Sequence, residues 1–178
     1  MNLPFLTGLI GSLICVMGAA WPEPKIAIHP VKSTKNWLLA IGGLAMLTYA
    51  ILNYLQGGPI FFAILQTLVV IASILMLLDT PDKVDIPVIT TGGLILIVWS
   101  LMLFDGYQTV IFVLGLCGIG LGYALKMGSL KRIVALTLGS ALIAIFSYLG
   151  SDWIFFWLNV FFAIFSGYYV YKHAKQRN

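Results

Sequence analysis

All ten basic and all six acidic residues of this 178-residue chain lie between, or at the very edges of, seven long apolar runs. The runs cover residues 5–22, 37–55, 60–78, 87–104, 107–125, 132–149 and 153–171. Each is close to the length of about 20 residues that takes an α-helix across roughly 30 Å of hydrocarbon. Only 9% of residues are charged and 61% are hydrophobic, with a mean hydropathy of +1.02. An ordinary globular chain carries about 25% charged residues, so too little polar surface is left here to face water. In lipid every backbone polar group is satisfied within the protein, which leaves helices or a closed barrel. The runs are continuous and lack the alternation of barrel strands. The expected fold is therefore an all-α integral membrane protein of seven transmembrane helices. The first run has no basic stretch before it and no small-residue cleavage site ahead of a soluble domain, so it reads as the first span rather than a removed signal.

The charges also carry an orientation. Lys25, Lys32 and Lys35 follow helix 1, and Lys83 follows helix 3. Lys126, Lys131 and Arg132 follow helix 5, and Lys172, Lys175 and Arg177 follow helix 7. Every basic residue thus falls on one side, while the connections at 56–59, 105–106 and 150–152 hold none. Basic loops stay in the cytoplasm, so the N-terminus is expected outside and the C-terminus in the cytoplasm, in a bacterial-type inner or plasma membrane. The net charge of +4 is a topology signal and not a nucleic-acid surface, because the bases are dispersed between apolar runs.

An internal repeat organises the spans. Residues 148–159 echo residues 54–65: Tyr54, Leu55, Ile60, Phe61 and Phe62 fall on Tyr148, Leu149, Ile154, Phe155 and Phe156 at an offset of 94. Upstream, Gly8-Leu9-Ile10-Gly11 echoes Gly115-Leu116-Cys117-Gly118 at an offset of 107. A longer loop after helix 1 absorbs the difference of 13. Helices 1–3 then match helices 5–7, and helix 4 is the spare. The expected organisation is a first three-helix repeat over 1–80, a linker with helix 4 over 81–106, and a second repeat over 107–178. A shift of four spans preserves direction, so the halves are expected to run parallel about a pseudo-twofold along the membrane normal, with a shared cavity on that axis.

This 3+1+3 plan resembles the SWEET and SemiSWEET sugar transporters and the wider PQ-loop superfamily. The residues that carry the resemblance are Trp21-Pro22-Glu23-Pro24-Lys25, then Lys32-Ser33-Thr34, which is similar to the family's Pro-Gln and Lys-Ser/Thr turn. Tyr49-Ala50-Ile51-Leu52 is similar to its Tyr-Gly segment, and Asn159 to the pore asparagine of the third helix in each unit. Glu23 stands where the family has Gln, and no proline lies near Met127-Gly128. Vitamin transporters of the nicotinamide-riboside type share the plan, as do the KDEL cargo receptors. The resemblance implies a transporter that works by alternating access, with a non-transporting receptor or assembly protein as the alternative.

No Asp, Glu, Lys, Arg or His sits in the middle of any run. An intramembrane charge marks a proton relay or ion-coupling site, and acid–base catalysis needs one, so the expectation is a facilitator and not an enzyme. Cys15, Cys117, His29 and His173 share no metal-ligand spacing, and no metal or cofactor is expected. At membrane depth, Asn159 and Gln66 are the candidate solute ligands. Each lies about six residues into its helix, roughly 9 Å below the outer surface, and an uncharged amide offers donors and acceptors to hydroxyl groups. The alternative for both is a hydrogen bond that joins two helices. Tyr49 and Tyr123 are candidates for stacking on a ring, or core packing. Pro22 and Pro24 are either a hinge or a helix stop. Gly42-Gly43, Gly92-Gly93 and Gly118-x-Gly120-x-Gly122 mark close helix packing or movement. Trp157 diverges from Asn159 on the helix, and the carboxylates Asp79, Asp82 and Asp85 form a solvated linker into helix 4. The expected partners are a small-molecule solute and the lipid bilayer, with no nucleic acid. A homo-oligomer stays open, because one chain already holds both halves of a pore.

Overall fold

Capping chemistry fixes the helix ends where polar punctuation meets the apolar runs. The Ser33 hydroxyl accepts from the Asn36 amide at 3.4 Å, and the Ser129 hydroxyl accepts from the Arg132 amide at 3.2 Å. Each satisfies one of the orphan donors at a helix start, a contribution of about 1 kcal/mol. The computed structural model describes residues 3–21, 30–126 and 129–175. Among these are seven α-helices: α1 Leu3–Ala20, α2 Thr34–Leu55, α3 Phe61–Leu78, α4 Asp82–Met102, α5 Tyr107–Ala124, α6 Leu130–Leu149 and α7 Trp153–Lys175. A 3₁₀ turn, Pro30–Lys32, precedes α2, and there is no strand among the described residues. All seven helices are long and apolar enough to cross a membrane. The chain has the make-up of an integral membrane protein.

Helix α4 starts earlier than its apolar run. It begins at Asp82 and takes Asp82 and Asp85 into its first turn. Carboxylates there face the positive end of the helix dipole, and the Thr80 hydroxyl donates to Asp85 across the turn. Asp79 ends α3 with φ 55°, a left-handed conformation that Asp tolerates better than most residues. The acidic stretch, expected as a linker, is thus largely the first turn of α4. Pro87 falls inside the helix, where it removes one backbone donor.

The chain divides into two compact units, Met1–Asp85 and Ile86–Asn178. In the first, α2 packs against both α1 and α3. In the second, α6 packs against both α5 and α7. The tightest approaches pass over glycine. A Cβ on Gly42 would stand 2.6 Å from Cys15 Sγ, and one on Gly139 would stand 2.7 Å from the Ile119 nitrogen. Nothing larger than hydrogen fits at either place. In lipid the hydrophobic effect does not press helices together, so close backbone contact of this kind supplies the attraction.

The buried positions recur from unit to unit. Gly42, Gly43, Met46, Tyr49 and Ala50 on α2 correspond to Gly139, Ser140, Ile143, Phe146 and Ser147 on α6, an offset of 97. Gly8, Gly11, Cys15 and Gly18 on α1 correspond to Phe112, Gly115, Ile119 and Gly122 on α5, an offset of 104. Phe62, Leu65 and Gln66 on α3 correspond to Phe155, Leu158 and Asn159 on α7, an offset of 93. The packing register therefore differs from the letter matches at 107 and 94. A Gly-x-x-Gly pattern nearly repeats itself one turn along a helix, so identical letters leave the turn undetermined. At the third helices, Phe61-Phe62 and Phe155-Phe156 match as letters, but only Phe62 and Phe155 are buried.

Candidate functional site

Gln66 lies on the most buried of the seven spans, five residues after the start of α3. It is 4% exposed, and its Oε1 has no hydrogen-bond partner. A buried carbonyl left without a donor is costly, by about 1–3 kcal/mol in proteins. Its neighbours on the buried face of α3 are Phe62, Leu65, Val70 and Ser73. Tyr49 is buried on α2, six residues before that helix ends at Leu55. Since α2 and α3 run antiparallel through one connection, at 1.5 Å per residue Tyr49 and Gln66 stand about 9 Å and 7.5 Å from the same end of the unit. The structure thus brings these two candidates to one level.

In the second unit Asn159 occupies the position that Gln66 occupies in the first. It is 7% exposed and lies six residues into α7, at a depth of about 9 Å. One of its amide N–H groups donates to the Phe155 carbonyl of its own helix at 2.8 Å. Among the described residues Asn159 donates to no second helix. Trp157, by contrast, is 53% exposed, in accord with its divergence from Asn159.

Tyr123 is in a different place. It is the next-to-last residue of α5, about 24 Å along that helix and near its far end from the level of Asn159. The Arg132 guanidinium lies over its ring, 5.7 Å from the centroid, and donates through Nη1 to the Leu125 carbonyl at 3.3 Å. The ring serves a cation–π contact that ties the α5–α6 turn together. Phe146 takes the packing position of Tyr49 in the second unit and packs against Phe112 with ring centroids 5.1 Å apart and the planes tilted by 54°. Pro22 and Pro24, the hinge candidates, lie outside the described residues.

Asp152 was not among the residues expected to matter. It is 6% exposed, and its Oδ1 accepts from the Phe155 amide at 3.0 Å, which caps α7. The signal for it was present: an Asp ahead of an apolar run is a helix-start signature. The buried hydroxyls of Ser100 and Ser147 donate to the carbonyls of Leu96 and Ile143 in their own helices, each at 2.7 Å. Hydroxyls engaged in this way are poor candidates for a ligand. The buried amides of Gln66 and Asn159, with the buried hydroxyls of Ser73 and Ser140, are the groups left that could hold an uncharged polar solute. No protein-family model matches this chain, and no curated protein or solved structure matches it.

Proposed function

We propose that this protein is a membrane facilitator that moves a small uncharged polar solute, such as a sugar, by alternating access. The observation that carries the reading is the unpartnered buried Oε1 of Gln66, at a helix position that recurs as Asn159. An orphan acceptor at membrane depth is a cost without a folding benefit, whereas a solute hydroxyl would satisfy it. A 3+1+3 organisation of SWEET-like type, with the N-terminus outside, accounts for the recurrence of the packing register and for the one-sided basic residues. The central parts of the spans contain no Asp, Glu, Lys, Arg or His to couple flux to an ion. Vitamin or nucleoside uptake on the same architecture is favoured by one observation, the buried Tyr49 ring at the level of Gln66.

Purified protein in liposomes is expected to take up labelled sugars or nucleosides at a rate indifferent to an imposed proton or sodium gradient. Uptake that disappears when such a gradient is collapsed would show a coupled carrier instead.

A further inference from the structure

The helices of each unit meet at two kinds of distance. Between α1 and α2, a Cβ on Gly11, Gly18 or Gly42 would stand 3.0, 3.1 or 2.6 Å from the facing helix. Between α5 and α6, one on Gly115, Gly118 or Gly139 would stand 2.7, 2.8 or 2.7 Å away. These two seams interlock backbone on backbone. The seams to the third helices are wider. A Cβ on Gly43 of α2 would stand 3.6 Å from Val70 of α3, and one on Gly167 of α7 would stand 3.8 Å from Thr137 of α6. Both are ordinary van der Waals distances. The unengaged buried hydroxyls lie on these wider seams. Ser73 is 1% exposed and Ser140 is 2% exposed. A helical hydroxyl can bond the carbonyl one turn back, as those of Thr67, Ser100, Thr137 and Ser147 do. Among the described residues neither the Ser73 nor the Ser140 hydroxyl makes a hydrogen bond. On an ideal helix Ser73 lies about 60° round from Val70, and Ser140 about 60° round from Thr137. Each is thereby turned toward the wider seam of its unit.

We propose that the third helix of each unit, α3 or α7, moves against a fixed helix pair. The opened seam then presents the Ser73 or Ser140 hydroxyl to a hydroxyl-bearing molecule, which is water or a neutral solute. A seam interlocked over glycine cannot part without losing close contacts along its length. One at side-chain distance holds less of that attraction and parts more readily. A buried hydroxyl without a partner is a cost to the closed state, and opening relieves it. Ser140 stands at the middle of α6, and Ser73 five residues before the end of α3. Both are beyond the reach of water unless a helix makes way. This rests on the transporter reading for what passes, and adds which element moves.

Ser73→Cys and Ser140→Cys test this in full-length protein in liposomes, labelled with a small methanethiosulfonate of fixed charge. Two buried thiols on the interlocked seams serve as controls: native Cys15, which faces Gly42, and Ile143→Cys, which faces Gly115. All variants are made with Cys117→Ser, and labelling is resolved by site in peptide mass spectra. The closed structure shields all four positions alike, so local opening sets the rates. Both serine positions are expected to react about tenfold or more faster than the controls. Slowing by glucose, xylitol or uridine makes a solute the occupant, and undiminished labelling makes it water; the mobile third helix stands in both cases. Rates no faster than the controls' overturn it. Ser73→Ala and Ser140→Ala are expected to unfold within about 2 °C of the parent. A markedly lower temperature for either also overturns the proposal, since that hydroxyl would then be holding two helices together. Fast labelling with no uptake of any of the three probes upholds the mobile helix and ends the transporter reading. Uptake with serine positions as slow as the controls ends the mobile helix alone.

Discussion

At Gly42 the distance to Cys15 Sγ leaves no room for a methyl group, whereas a Cβ on Gly92 meets nothing within 4 Å. The two glycines look alike in the sequence, each in a Gly-Gly pair within an apolar run. Their substitutions should part company. Gly42→Ala forces α1 and α2 apart and should lower stability by about 1–3 kcal/mol. Gly92→Ala, in a helix interior with open space beside it, should be neutral or stabilising by up to about 1 kcal/mol. Thermal unfolding in one detergent measures both, and a Gly92→Ala variant that unfolds as early as Gly42→Ala would contradict the account. Asp152 offers a second contrast. If its carboxylate serves as the cap of α7, Asp152→Ala should cost about 1 kcal/mol, and Asp152→Asn should retain most of the stability because Asn caps about as well. Solute uptake by Asp152→Asn should also show the indifference to a proton gradient that is expected of the parent. A collapse of uptake in that variant would mean that the carboxylate has a role in coupling.

Helices were legible in the sequence because lipid imposes a length and an apolar content, and all seven runs contain one. Their starts were less so. The carboxylates of α4 read as loop by polarity, yet helix N-termini favour exactly such residues. The register of the third helices was missed by one position, for a physical reason. Matching letters weighs Phe61 and Phe156 as heavily as Phe62 and Phe155, although only the latter two are buried. With burial setting the register, Gln66 and Asn159 become equivalent, where the letters had set Leu65 against Asn159. That the Gln66 carbonyl lacks a donor could not be read from sequence at all, since it depends on which side chains come near. Tyr123 was misplaced as a stacking candidate because depth along α5, and the approach of Arg132 from α6, depend on packing. The equivalence carries a prediction for the element as a whole. Asn159→Ala should abolish uptake while expression and unfolding temperature stay close to the parent's, since the hydrogen bond lost is one within α7. Retained uptake would reduce Asn159 to a residue that satisfies its own helix.

The grouping of the bases into alternate connections is a property of the whole chain that bears on insertion, which acts on the sequence before tertiary packing exists. Bases at 25–35, 83, 126–132 and 172–177 put those connections on the cytoplasmic face in the proposed orientation, and leave 56–59, 105–106 and 150–152 outside. Single cysteines test this without reference to transport. The native thiols make a quiet background. Cys15 is buried against Gly42, and Cys117 is partly buried in the middle of α5, so a charged maleimide that cannot enter lipid has poor access to either. Gln56 and Lys83 are both exposed, at the two ends of the hairpin arm formed by α3. Gln56→Cys should be labelled on intact cells, and Lys83→Cys only after the membrane is opened. The reverse pattern would put the N-terminus in the cytoplasm and the bases outside, against the rule from which the orientation was drawn. Equal labelling of both on intact cells would mean that α3 does not cross the bilayer. Gln66 would then lie at no membrane depth, and the cost that makes its unpaired oxygen informative would disappear with it.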